Sequence, residues 1–236
     1  MSAFPSVPAG VRTVGTDTAD STRLVLVRHG EAKCNVDGVV GGPRGCRGLS
    51  PVGARQADAL ALRLAATGEL AGASALYASV LQRALDTADA IARWVGGGMT
   101  PVADCALCEL HPGDADGLTW AEFSERYGEP DWDADPGTPL APGGESWSSF
   151  VQRAHRALVE LAARHQGSTV VVVCHAGVVE SAMLRFLPLA SGEARLGLRT
   201  AHTSITEFET TDGGWRLLRY NDAAHLQGSV DQPQQA

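Results

Sequence analysis

The chain is nearly devoid of lysine: of 19 basic residues among 236, Lys33 is the only one. Its positive charge is therefore almost wholly guanidinium, which forks onto phosphate or carboxylate in a way that ammonium does not. Positive charge in excess is lacking too. The formal net charge of −8 argues against general affinity for nucleic acid or an anionic membrane, since both reward a basic face. Any anion has to be captured locally, and arginines near strand ends become the ones to follow. No stretch approaches the roughly 18 consecutive apolar residues needed to span a bilayer. The N-terminus has no basic segment leading into an apolar one, as a secretory signal would. The expectation is a cytoplasmic protein. Cysteines are few and odd in number, five in all, which argues for reduced thiols rather than a disulfide framework. Cys105-Ala-Leu-Cys108 with His111 nearby reads as half a zinc site. A structural zinc takes four ligands, commonly two spaced pairs, and Cys34, Cys46 and Cys174 supply no second pair, so no metal is expected.

What is present begins with two apolar runs that end alike. Leu24-Val25-Leu26-Val27 stops at Arg28-His29-Gly30-Glu31, and Thr169-Val170-Val171-Val172-Val173-Cys174 stops at His175-Ala176-Gly177. Both runs read as fully buried parallel strands. Ligands of open α/β sheets gather outside the carboxyl ends of such strands. One histidine after a strand is commonly a satisfied core group. A pair, one with Arg28 immediately before it, points to a shared rim that faces substrate. A composition of 44% hydrophobic and 19% charged residues suits one α/β domain with a large core, or a core plus an inserted cap.

Residues 1–22 are small and polar with no apolar period and are expected to be a disordered tail. The folded domain is expected over residues 23–221, with a loose tail over 222–236. After the first strand, residues 34–48 form a glycine-rich loop whose backbone can approach a ligand closely. Ser50-Pro51 opens a helix to about Thr67, ended by Gly68. Residues 73–78 read as a short strand. Ser79 is the expected cap of a helix reaching Trp94, which places Arg83 in a first turn that already favours an anion. A short strand at Pro101–Val102 precedes an irregular, acidic, proline-rich stretch from about 104 to 145. That stretch is too long for an ordinary connection and reads as a cap insertion, with a short helix near Trp120–Tyr127. Ser146 caps a long amphipathic helix to about His165, a further helix runs from Gly177 to about Phe186, and Thr203–Glu209 with Trp215–Tyr220 form a terminal hairpin.

Six blocks in order then carry a resemblance: Arg28-His29-Gly30-Glu31 with Asn35, Leu49-Ser50-x-x-Gly53-x-x-Gln56-Ala57, Ser79-x-x-x-Arg83-Ala84-x-x-Thr87-Ala88, Glu109-x-x-x-Gly113-x-x-x-Gly117, Pro142-Gly-Gly-Glu-Ser146, and His175-Ala176-Gly177. From Arg23 to Tyr220 the chain resembles the histidine phosphatase superfamily, the phosphoglycerate mutase-like group. The resemblance implies a three-layer α/β/α sandwich with a mostly parallel sheet and a small cap. It also implies phosphoryl transfer through a phosphohistidine, with no cofactor and no metal in the chemistry. Carried over by residue, His29 is the nucleophile, Arg28 and Arg83 hold the phosphoryl oxygens, His175 completes the pocket and Glu109 is the proton donor. Asn35, the backbone of Gly41 and Gly42, and Ala176 are implied substrate contacts.

Elementary chemistry points the same way. Phosphoryl transfer spreads charge over equatorial oxygens, so catalysis is mostly positioning plus fixed positive groups, and two arginines with two imidazoles supply both. Glu109 can protonate a leaving alkoxide only if its environment raises its pKa, through partial burial or the neighbouring Asp114 and Asp116. Departures from the family pattern are the basic loop Gly42-Pro43-Arg44-Gly45-Cys46-Arg47-Gly48 and Ala115 where an aromatic residue is frequent. Arg44 and Arg47 could meet a second anionic group on the substrate or form a solvated loop. The short acidic cap and Pro-Gly-Gly-Glu-Ser favour a phosphatase of small phosphomonoesters. The alternatives are mutase-type phosphotransfer and an inactive phospho-ligand binding module. The expected partner is a small-molecule phosphomonoester, not nucleic acid or membrane, and a homodimer is left open.

Overall fold

The computed structural model describes residues 21–188 and 195–227. Its framework is a six-stranded sheet built from β1 (Arg23–Arg28), β2 (Ala75–Ala78), β3 (Val102–Ala103), β4 (Thr169–Cys174), β5 (Ile205–Thr211) and β6 (Gly214–Asp222), in the order β3-β2-β4-β1-β5-β6. The pairings β3–β2, β2–β4 and β4–β1 are parallel, and β1–β5 and β5–β6 are antiparallel. The expected α/β fold with a mostly parallel sheet is what forms.

The Val/Leu runs explain the layering. Successive strand side chains point to opposite faces, and branched side chains suit a sheet buried on both. Leu24, Leu26, Val170 and Val172 join one apolar cluster with Phe150, Val151, Leu158, Val178 and Ala182, from α5 (Trp147–Arg164) and α6 (Ala176–Phe186). Val25, Val27, Val171 and Val173 join the other with Leu60, Leu64, Ala84, Ala88 and Ile91, from α2 (Pro51–Thr67) and α3 (Gln82–Ile91). Each buried Val or Leu contributes roughly 1.5–3 kcal/mol, so both faces need their helices, and three layers result.

Several helix ends behave as the sequence indicates. Ser50 accepts from the Gly53 N–H with Pro51 at the first position, Gly68 closes α2 at φ +64°, and Ser146 caps α5. Others differ. Ser79 does not cap α3: the capping position is Leu81, and the Ser79 hydroxyl instead accepts from the Leu81 N–H at 3.2 Å and donates to Cys108 Sγ. Helix α3 gives way to a 3₁₀ turn at Ala92–Trp94. The described structure begins before the expected domain start at 23 and continues past its expected end at 221. Residues 1–20 and 228–236 lie outside the described residues. Thr22 is buried, accepts from Gly167 and Thr210 N–H groups, and so belongs to the start of the central strand β1. At the other end Asp222 closes β6 and Leu226 is buried.

The segment between β3 and α5 holds two 3₁₀ turns, Cys105–Leu107 and Gly113–Ala115, and α4 (Trp120–Tyr127). Ala115, Phe123 and Ala141 form a small apolar cluster with Val40 of the glycine-rich loop. Isolated bridges Val39–Thr119 and Pro139–Ser146 tie this segment to its surroundings. The same loop carries α1 (Lys33–Asp37). Among the described residues no helix is long and apolar enough to cross a membrane.

Candidate active site

Register sets the centre. Arg28 lies opposite Cys174 across the parallel β1–β4 pair, so the residues that follow each are neighbours. The His29 N–H donates to the Cys174 carbonyl at 3.0 Å, and the rings of His29 and His175 stand edge to face with centroids 5.0 Å apart. On the other side of β4, the Ser79 N–H donates to Val173 O, so the end of β2 reaches the same rim and α3 rises from it with Arg83. Both histidines and Arg83 are buried.

The tautomer of His29 follows from its partners. Nδ1 faces the Gly30 carbonyl at 2.6 Å, which can only accept, and Nε2 faces the Arg83 Nε–H at 3.1 Å, which can only donate. The ring is therefore neutral with the proton on Nδ1 and the lone pair on Nε2. Burial first, then the positive charge of Arg83, holds the His29 pKa well below the ordinary imidazole value. Burial and the charges of Arg83, Arg28 and Arg153 do the same to His175.

The loop that carries His29 is braced from two helices, which gives the spacing of Ser50, Gly53 and Gln56 a physical reason. Ser50 Oγ donates to Glu31 Oε1 at 2.6 Å, the Ser50 N–H donates to Glu31 O, and the Glu31 N–H donates to Gln56 Oε1 at 2.9 Å. A Cβ on Gly53 would stand 1.9 Å from the Glu31 carbonyl oxygen, so only glycine lets α2 come this close. From α3, Thr87 Oγ1 accepts from the Gly30 N–H at 3.0 Å and donates to the Arg83 carbonyl.

Arg83 is aimed by the glycine-rich loop: its Nη1–H donates to Gly41 O at 2.7 Å. A Cβ on Gly41 would meet Cys34 Sγ at 2.5 Å, and one on Gly42 would meet Pro112 Cγ at 2.6 Å and Asp116 Cγ at 2.7 Å. Asp116 in turn accepts from the Arg44 and Gly45 N–H groups at 2.8 and 2.9 Å. Its carboxylate is thereby spent on holding the loop, and Asp114 is exposed. Arg44 and Arg47 pair with Asp116 and Asp37 while remaining mostly solvent-exposed, which fits the solvated-loop alternative.

Glu109 reaches the rim from the cap segment. Its Oε2 accepts from the Gly177 N–H at 3.1 Å and its Oε1 from the Leu110 N–H at 3.3 Å. Arg28 donates to the Thr200 carbonyl. Burial lowers its pKa to about 10, countered by Glu109 and reinforced by Arg83, so it stays cationic at neutral pH. Ala176 opens α6 directly after His175. Asn35 is exposed, and its Oδ1 accepts from the Ala32 N–H at 3.0 Å.

The sequence reading missed His202. Its ring centroid is 5.8 Å from that of His29, and burial, with Arg28 and Arg83, lowers its pKa to about 3. The placement follows from strand direction, which only the structure gives. Strand β5 runs antiparallel to β1, with Val27 opposite Ile205, so residues preceding β5 fall at the rim where β1 ends. Around His29, the Arg28 Nε, both His175 ring nitrogens and the His202 Nε2 are buried without a hydrogen-bond partner among the described residues. Orphaned buried polar atoms cost about 1–3 kcal/mol each. A ligand rich in acceptor oxygens would relieve the Arg28 Nε outright and the imidazoles through their ring N–H groups.

A sequence profile of the histidine phosphatase superfamily (branch 1) matches residues 24–223. The metal-independent phosphoserine phosphatase of Arabidopsis thaliana is 33% identical over 214 residues, covering 88% of this chain and 84% of that protein. A mycobacterial glucosyl-3-phosphoglycerate phosphatase solved with VO3 superposes with a TM-score of 0.69 at 28% identity, covering 84% of this chain and 98% of that one. A mutant phosphoserine phosphatase of Entamoeba histolytica, solved with phosphoserine, gives 0.69 at 26% identity over 87% of this chain and 99% of that one.

Proposed function

The chain belongs to the histidine phosphatase superfamily, and on that premise we propose that it hydrolyses small phosphomonoesters with His29 as nucleophile. The observation that carries this is the neutral His29 ring, Nδ1–H fixed on Gly30 O and Nε2 under Arg83. An imidazole attacks phosphorus through an unprotonated nitrogen whose ring is held by its other N–H. On substrate entry a phosphoryl oxygen replaces Nε2 as the acceptor of the Arg83 Nε–H, which frees the lone pair for in-line attack. Nε2 forms the bond to phosphorus as the bond to the ester oxygen breaks, and Glu109 gives that oxygen its proton. Arg28, Arg83, His175 and His202 meet the charge on the equatorial oxygens. Water, deprotonated by Glu109, then takes the phosphoryl group from His29 and restores the ring. Asn35, Ala176 and the backbone of Gly41 and Gly42 border the substrate. Gly41 also acts through its carbonyl, by holding Arg83.

Phosphoserine and glucosyl-3-phosphoglycerate, named for the relatives above, each carry a carboxylate beside the phosphate, and we extend that class to this chain. Turnover should be measured on phosphoserine, phosphoglycerates, glucosyl-3-phosphoglycerate, phosphosugars, nucleotides and an aryl phosphate, with His29→Ala as blank. Quenching without acid during turnover should trap phosphate on His29. Ordinary turnover by His29→Ala, or a label that maps to His175, would overturn the assignment.

A further inference from the structure

Cys105, Cys108 and His111 flank Glu109, and the phosphoryl chemistry uses none of them. The fold brings one ligand atom of each within 4.8 Å of the others, the only such group of three among the described residues. Cys105 Sγ lies 3.7 Å from Cys108 Sγ and 3.6 Å from His111 Nε2. A tetrahedral zinc with bonds of about 2.3 Å to sulfur and about 2.0–2.1 Å to nitrogen has edges of about 3.8 Å between sulfurs and about 3.6 Å from sulfur to nitrogen. Two observed edges already have those lengths. We propose that Cys105, Cys108 and His111 bind one thiophilic divalent cation of the zinc class, separate from the phosphate pocket.

The surroundings are those of a supported site. His111 Nδ1 lies 3.6 Å from Glu145 Oε2, too long for a hydrogen bond but on the side where a carboxylate partner of a metal-bound imidazole would sit. Glu145 is itself fixed by Arg153 at 2.8 and 2.7 Å and by the His111 N–H at 2.9 Å. Arg153 also donates to the carbonyls of Ala106, Cys108 and Glu109, so the backbone between the ligands is braced before any ion arrives. Ser79 Oγ donates to Cys108 Sγ at 3.2 Å. Soft thiolates select zinc-class ions over magnesium or calcium. Two thiolates neutralise the dication, their protons pass to solvent, and nothing is oxidised or reduced. A fourth position is left for water, as in three-ligand zinc sites. The sequence spacing, with His111 but no second cysteine pair, gives only three of the four ligands of a structural zinc site; the observed distances fit a three-ligand site whose fourth position is water.

The test is cobalt(II) titration of the full, reduced chain. The expected result is one equivalent bound, with the visible absorption of tetrahedral cobalt and a thiolate-to-cobalt charge-transfer band, both displaced by zinc. Cys105→Ser at its exposed position and His111→Ala should each remove the band or weaken binding by more than ~10²-fold, since loss of a supporting outer partner alone costs about 10–100-fold. Zinc should raise the Tm of the parent chain and leave that of Cys105→Ser unchanged, which separates lost binding from lost folding. No cobalt uptake, uptake without thiolate character, or uptake undiminished in Cys105→Ser would each overturn the proposal. None of these readouts depends on phosphatase activity.

Discussion

At the scale of single residues, the site works by assigning each polar atom one task. His29 holds its proton on Gly30 O, Arg83 is shared between His29 and Gly41, and Asp116 is committed to the Arg44 and Gly45 amides. Glu109 is the carboxylate that faces the start of α6, and the proposed mechanism gives it, not Asp114 or Asp116, the acid role. Glu109→Gln should lower the phosphorylation rate with alkyl phosphates, whose leaving groups need a proton, by roughly 10²–10⁴-fold. Aryl phosphates should lose far less in that step. Rapid-quench measurement of enzyme phosphorylation is required, because steady-state rates mix in the later activation of water. An equal loss for both ester types would make Glu109 a positioning residue. Much of this was legible in the chain. Ser50, Gly53, Gln56, Arg83 and Thr87 stand at spacings that the brace around His29 requires. What spacing could not reveal is which atoms meet, such as the Gly41 carbonyl on Arg83, because that depends on how the loop folds back.

At the scale of elements, the parallel strands were readable because their buried faces leave long Val/Leu runs, and helix ends were readable where Ser and Gly sit at caps. Failures came where tertiary contact overrode a local signal. Ser79 resembles a cap, yet its hydroxyl is drawn to Leu81 and Cys108, and α3 starts later. His202 escaped notice because strand direction, unlike strand identity, leaves no periodic mark. Helix α6 carries the sharpest test of how elements assemble the site. A Cβ on Gly177 would stand 2.3 Å from Glu109 Oε1 and 2.9 Å from Phe150 Cε1. The end of a glutamate side chain can swing away, whereas the buried Phe150 ring must give by a few tenths of an ångström. Gly177→Ala should therefore keep the fold while displacing Glu109. A misplacement of about 1 Å can cost about 10²-fold in rate, so kcat on alkyl phosphates should fall by about that factor. The Tm should fall by a few degrees, since overpacking against Phe150 costs about 1–3 kcal/mol and helix propensity returns at most ~1 kcal/mol. Unchanged kcat would show that Glu109 tolerates the shift and does not act through its present position.

At the scale of the whole molecule, an acidic chain has gathered its buried imidazoles around guanidinium groups and keeps them neutral. His29, His175 and His202 all have folded pKa values lowered from 6.5, by burial first and by Arg83 or Arg28 next. In the unfolded chain the same rings take up protons as pH falls through about 6.5, while in the folded chain they do not. The unfolded state then binds more protons, so stability is full above the unfolded pKa and is lost as pH drops below it. Each such ring forfeits on the order of 1 kcal/mol over the two pH units between 7.5 and 5.5, and His225, lowered to about 4 by burial, and His155, lowered by burial and Arg185, add to the loss. Urea unfolding at the two pH values should register that loss. A second loss sets in further down. Glu69 and Asp222, held low by Arg63 and Arg219, stabilise the fold above the ordinary carboxylate range and cease to do so as they protonate. Replacing His202 by Gln should remove only its own share, on the order of 1 kcal/mol, of the loss between pH 7.5 and 5.5 while leaving the lower one in place. A pH-independent unfolding free energy across 7.5–5.5 would mean that the folded rings take up protons as the unfolded ones do, and the burial that keeps His29 neutral would not operate.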